Sequence, residues 1–345
     1  MFKKILIALL IFVLLGGGYF LTIMNSTGFF RNIENKNFGQ VLKEIPLPGA
    51  EDMTIDYESG RMFISSFDRA AAVQGENPTG GIYVLDLNSA EAIPNRLDDG
   101  LGAGFHPHGI YLNKTDSATW RLWVVNHQNG NQTIELFEFI GPDHFAHLKT
   151  FKDPLIVSPN DIVAINEDQF YFTNDHGYTE GLGMLAENYL GLAFSGVVYF
   201  DGSEFKEVAD NISYANGITL SMDQKQLLVA SPRKFKLLIY DIQPDGSLTK
   251  ADEWDMGSGI DNLEWDNKGV LWIGSHPNLL RFASYAKLKK PTSPSEIIRV
   301  EGDRIESVYL NDGTEVSAST VVAVYGNRYF VGTVMDDKIL VLEKN

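Results

Sequence analysis

No cysteine occurs among the 345 residues. That excludes a disulfide framework, thiolate zinc and Fe–S sites, and a cysteine nucleophile. Cations are scarce too: 28 Lys+Arg stand against 45 Asp+Glu, a formal net charge of −17. So acidic a chain repels phosphate and lacks the cations whose counterion release drives nucleic-acid binding, and no nucleic-acid partner is expected. Also missing are a G-x-S-x-G elbow, H-E-x-x-H, a P-loop and a dinucleotide fingerprint after a strand, which removes several hydrolase and nucleotide-binding classes. What is present is apolar surface. At 44% hydrophobic and 12% aromatic residues the chain can offset its conformational entropy by burial.

Residues 5–24, ILIALLIFVLLGGGYFLTIM, form a run of 20 residues without a charge, the length that a helix needs to cross a hydrocarbon core. Lys3 and Lys4 precede it, so the positive-inside rule puts the N-terminus in the cytoplasm and the rest outside. The run is long for the apolar part of a signal peptide, and no small-x-small cleavage site follows. It reads as an uncleaved signal anchor over residues 1–24, with a polar linker over 25–40 and a periplasmic or extracellular body over 41–345.

The body reads as strands: RMFISSF, GGIYVLDL, RLWVVNH, QFYFTND, QLLVAS, VLWIGSH and KILVLE are short, rich in β-branched and aromatic residues, and bounded by turn formers. A weak repeat runs through them, a polar pair followed by an apolar strand: Glu51-Asp52, His108-Gly109, Asn160-Asp161, Asn216-Gly217, Asp261-Asn262 and Ser319-Thr320. The second members fall at 52, 109, 161, 217, 262 and 320, intervals that suit four-stranded propeller blades. The expected fold is therefore all-β, a six-bladed β-propeller, with the polar pairs gathered around its channel. Residues 179–195 break the pattern with helical periodicity and predict an inserted, lid-like helix that could also touch the membrane.

The polar pairs offer side-chain oxygen from Glu51, Asp52, Asn160, Asp161, Asn216, Asp261 and Asn262, and no sulfur. Hard calcium takes six to eight oxygen ligands, whereas magnesium keeps more water and softer metals prefer imidazole or thiolate. One such pair is an ordinary turn cap; several at equivalent repeat positions point to a cation.

The segments GAEDMTI, FHPHGI, LWVVNHQ, SPNDIVAI, YFTNDHGY, YANGITLS, GIDNLEWD, LWIGSHPN, ASTVVAVYG and FVGTV resemble, in order, the serum paraoxonase/arylesterase family of calcium-dependent lactonases. The resemblance implies a six-bladed propeller with two calcium ions in its channel. It implies that Glu51, Asn160, Asn216, Asp261 and Asn262 hold a catalytic calcium, and that Asp52, Asp161 and the carbonyl of Ile110 hold a structural one. It makes His108 and His127 a catalytic dyad, with Glu51 or Asp261 as the alternative base. Asp175, His176 and His276 would support the ligands, and Tyr214 and Val334 would line the pocket. His144 and His147 read as turn residues.

Vertebrate members of that family join their chain ends with a disulfide. Here closure must rest on strand pairing, with residues near 41–46 beside KILVLE. The expected function is calcium-dependent hydrolysis of apolar lactones with secondary arylesterase activity, in a protein held to the membrane by its first helix. The alternatives are a sugar lactonase of the gluconolactonase type and a non-enzymatic propeller that uses calcium for stability.

Overall fold

The computed structural model describes residues 2–37, 39–89, 91, 93–97, 101–115, 119–128, 131–139 and 144–344. Met1 and Asn345, the outer bounds read above for anchor and propeller, lie outside them. Six four-stranded antiparallel sheets follow one another around a channel. Their innermost strands are Ala50–Asp56, Pro107–Lys114, Pro159–Ala164, Ile218–Leu220, Gly259–Trp265 and Ser319–Tyr325, so each expected polar pair opens or immediately precedes the innermost strand of one blade, numbered here 1 to 6 in that order. The strand Gly39–Pro46 pairs with Lys338–Lys344, from Gly39 opposite Lys344 to Pro46 opposite Lys338. That pairing closes blade 6 without a disulfide, and it begins inside the segment read as linker.

Both faces of the blades are buried. Six apolar clusters fill the seams between neighbours: Trp123, Phe151, Phe170, Phe172 and Phe200, for example, fill the seam between blades 2 and 3, and Met53, Ile55, Val321 and Phe330 that between 1 and 6. The strong β propensity of the sequence is thus spent on sheet-to-sheet packing. In five blades the innermost strand loses register at its polar pair, as between Ala50 and Asp52 and between Pro159 and Ile162. A bulge re-aims side chains, here towards the channel. Two pairs contain glycine because nothing larger fits. A Cβ at Gly109 would lie 2.5 Å from Asp161 Cα, and one at Gly217 would lie 2.3 Å from the Asp261 carbonyl oxygen.

Helix α1, Phe2–Ser26, is long and apolar enough to cross a membrane. The chain that follows it does not hang free. Arg31 forks onto buried Glu296 at 2.6 and 2.7 Å, the Thr27 carbonyl accepts from Leu279 N–H, and Lys36 exchanges backbone hydrogen bonds with Leu310. These contacts strap the end of α1 to blade 5.

The helix expected over 179–195 is shorter. It comprises one α-helical turn, Gly181–Leu185, and a π-turn, Ala186–Leu190. Gly191 at φ +66° ends it, and strand pairing begins at Ser195. Buried Glu187 secures it by accepting from the N–H groups of Gly177 and Tyr178 at 2.9 and 3.2 Å. His147 is not a turn residue: it lies in the strand Phe145–Phe151, with Nε2 2.8 Å from buried Glu135.

Candidate functional site

One end of the channel opens into a cavity of about 220 Å³. Glu51, His108, Asn160, Asn216, Asp261 and His276 line its floor, and Tyr214 and Val334 its wall. A wider surface depression of about 610 Å³ beside Asn131, Lys152 and Thr179 holds none of these groups.

The floor is built around Glu51, which is 1% exposed. Its Oε1 accepts from Asn262 Nδ2 at 3.0 Å, and its backbone carbonyl accepts from Asn262 Nδ2 at 3.1 Å and Thr320 Oγ1 at 2.6 Å. Blades 1, 5 and 6 thus meet at one residue. Four buried oxygens have no protein partner: Glu51 Oε2, Asn160 Oδ1, Asn216 Oδ1 and Asn262 Oδ1. An unpaired buried polar atom costs about 1–3 kcal/mol, so four on the lining of one channel call for a common partner. Among the described residues no three His, Cys, Asp or Glu side chains converge as a metal-binding group. Amide oxygens dominate here, a donor set that suits a hard cation.

The charges support the same partner. Burial pushes Asp261 up, and the Glu51 charge adds to it. Burial also raises Asp52 and Asp161 well above the usual carboxylate range, and the Asp161 charge adds to the effect on Asp52. Glu51 is held low despite its burial, because His108 and Arg69 favour its charge. A cation would offset this concentration of buried carboxylates. Deeper in the channel, Asp52 Oδ2 accepts from Ile110 N–H at 2.7 Å. Ile110 therefore meets Asp52 through its amide.

Four of the seven histidines form three groups at the site. His108 Nδ1 lies 2.7 Å from His127 Nε2, and His127 Nδ1 lies 2.5 Å from Gln132 Oε1. His108 Nε2 faces Glu51 Oε1 at 3.3 Å. Burial, and the neighbouring His108, push His127 down to about 3. His276 Nε2 sits 2.7 Å from Asp261 Oδ2, and its ring stacks on Phe282. Asp175 joins Ser158, Asn160 and His176, at 2.7 Å for the last, and His176 Nε2 reaches Asn188 on the inserted turn.

Burial alone would lower the His176 pKa, but the hydrogen bond and charge of Asp175 carry it up to about 9. A raised pKa in the fold stabilises it fully below the unfolded value of about 6.5, and that contribution is lost as pH rises through about 9. At constant calcium, the melting-temperature gap between wild type and His176→Gln is expected to shrink by a few °C between about pH 6 and pH 9.5. A gap independent of pH would contradict a charged pair.

Three contributors escape a motif-based reading. Arg69 lies close enough to Glu51 to favour its charge, and Glu51 and Asp261 in turn favour the charge on Arg69, whose buried Nη1 has no partner. Gln132 fixes His127. Arg233 lines the cavity. Their only sequence signal is a polar side chain in a turn, at a strand end or at the start of a short helix.

The arylesterase family model matches residues 31–342. Serum paraoxonase/arylesterase 1 of Homo sapiens is 35% identical over 301 residues, covering 83% of each chain. Serum paraoxonase/arylesterase 2 of Gallus gallus is 36% identical over 300 residues, with the same coverage of both. Among solved structures a putative gluconolactonase superposes with a TM-score of 0.55 at 12% identity, over 92% of this chain and 95% of that one; this likeness concerns the fold alone.

Proposed function

The chain belongs to the arylesterase family and is an ester hydrolase, and from that premise we propose that it hydrolyses lactones, and secondarily aryl esters, with calcium in its channel. The observation that carries this reading is the set of unpartnered oxygens of Glu51, Asn160, Asn216 and Asn262 beside the His108–His127 pair. Those four residues and Asp261 would hold the catalytic ion, and Asp52 and Asp161 with the Ile110 carbonyl a structural one. Calcium so held supplies a Lewis acid for the carbonyl and for the negative charge that develops on it.

The chain's own groups do the rest. With Gln132 Oε1 accepting, His127 donates from Nδ1 and offers its Nε2 lone pair to His108 Nδ1–H. His108 Nε2 is then left as the base that takes a proton from water at the floor of the cavity, and Glu51, 3.3 Å away, stabilises the imidazolium so formed. His276 orients Asp261, and Asp175 with His176 steadies Asn160. Leu279, Phe282 and Val334 give the wall an apolar side, which favours substrates with an apolar portion over sugar lactones, whose hydroxyl groups it could not pair. Helix α1 would anchor the protein in a single pass, with Lys3 and Lys4 on the cytoplasmic side and the propeller outside. The turn Ala186–Leu190, with Tyr189 and Leu190 exposed, would meet the same membrane and cover the cavity.

The test uses the full chain in detergent, a panel of lactones of increasing acyl length, phenyl acetate, and a metal count. Two calcium ions per chain are expected, with hydrolysis lost by at least about 100-fold on thorough calcium removal and restored by calcium. Hydrolysis that survives calcium removal would overturn the mechanism, and a count of one ion would favour the sugar-lactonase alternative.

A further inference from the structure

We propose that Arg233 is a subsite for a carboxylate on the part of the substrate remote from the reacting carbonyl, so that this protein prefers compact esters and lactones bearing an anionic tail. The inference deepens the hydrolase reading above and rests on it.

Arg233 lines the same cavity as Glu51, His108 and Asn216. It follows the strand Gln226–Ser231 in the short helical turn Pro232–Lys234 of blade 4. Its Nη1 donates to Ser26 Oγ at 3.0 Å and to the Ser26 carbonyl at 3.5 Å, at the end of α1. Among the described residues no carboxylate pairs with it, and neither Nε nor Nη2 donates a hydrogen bond. That is unusual in a chain with 45 acids to 28 bases, where Arg31, Arg121, Arg299 and Arg304 all pair with carboxylates. The guanidinium does not swing freely. It packs against Gly191 so closely that a Cβ there would lie 2.9 Å from Cζ, Nε and Nη2. Burial disfavours its charge, and only Tyr19 acts in the other direction.

A half-buried, positioned cation with two idle donors is built for a planar bidentate anion. The cavity supplies the remainder of the ligand's outline. Its floor holds the reacting groups, and Leu192, Leu279 and Phe282 form an apolar stretch. At about 220 Å³ it lies below the usual range for drug-sized ligands, so the molecule that reaches from floor to Arg233 is small.

The experiment compares 4-carboxyphenyl acetate with its neutral isostere 4-carbamoylphenyl acetate, using the full chain in detergent with calcium. Wild type is expected to favour the carboxylate in kcat/KM. Arg233→Met should cut the carboxylate-to-amide ratio by about 10-fold or more, mainly through KM, the loss of a charge-assisted pair. Arg233→Lys should recover part of it. Ser26→Ala removes the strap but keeps the cation, and should move the ratio by less than about threefold. Equal losses in Ser26→Ala and Arg233→Met, or a wild type that disfavours the carboxylate, would overturn the subsite. If neither ester is turned over, the hydrolase reading fails instead. Calorimetric binding of 4-hydroxybenzoate against 4-hydroxybenzamide then decides the subsite separately: equal affinities overturn it, and an Arg233-dependent preference for the carboxylate upholds it.

Discussion

His108→Gln is expected to lower kcat for lactone hydrolysis by about 10²–10⁴-fold, the usual contribution of a positioned general base. The hydrogen-bond chain gives the reason. Gln132 Oε1 can only accept, so His127 carries its proton on Nδ1 and presents a lone pair at Nε2, 2.7 Å from His108 Nδ1. His108 must then donate from Nδ1, and its basic nitrogen is Nε2, on the cavity side beside Glu51. Because His127 is pushed down to about 3, it stays neutral at ordinary pH, and a proton taken from water remains on His108. Glutamine keeps a polar side chain at the position but has no basic nitrogen. His127→Gln should cost less, since His108 Nε2 survives and loses only its orienting partner. Steady-state kinetics with calcium content measured alongside separate the cases. A His108→Gln enzyme within about threefold of wild type, with its calcium intact, would move the base to Glu51 or Asp261.

The propeller was legible because its constraint repeats. Every blade must aim its innermost strand at the channel, and each solves this with a polar pair followed by apolar residues, so the pattern at Asp52, Asp161 and Asn262 survives divergence between blades. Closure by residues near 41–46 followed from the missing cysteines, and the pairing with Lys338–Lys344 runs from Gly39 to Pro46. The candidate site was legible to the extent that its residues sat in those pairs. What escaped depends on contacts that leave no local trace. The strap of residues 27–36 on blade 5 needs Arg31 to find Glu296, 265 positions away. His147 looked like part of a turn, and only its buried neighbour Glu135 explains its place in a strand. The periodicity over 179–195 overstated a helix whose glycines at 181 and 191 both adopt positive φ and confine it. Arg69 and Arg233 enter the candidate site through what surrounds them, which no spacing encodes.

Asp161→Ala should be the most destabilising single change in the channel, at about 3–5 kcal/mol, or about 10 °C in melting temperature. Asp161 Oδ1 accepts from Ile162 N–H at 2.7 Å within its own blade, and Oδ2 accepts from Ile218 N–H at 2.8 Å in the next. On the other side, Gly109 of blade 2 presses against its Cα and Oδ1. Removing the carboxylate leaves two buried amides unpaired and a gap between three blades. Asp52 repeats the device, accepting from Met53 and from Ile110 of the next blade at 2.9 and 2.7 Å. The two carboxylates also repel, and that repulsion separates their bonding role from a role in holding calcium. Asp161→Asn retains an acceptor oxygen but removes the charge. In calcium-loaded protein it should weaken the fold, because a ligand charge is lost. In chelator it should cost less, because repulsion with Asp52 is relieved. Chelation is therefore expected to lower the melting temperature of wild type by more than it lowers that of Asp161→Asn. Equal chelation shifts in the two proteins would mean that Asp161 latches the blades without holding the ion.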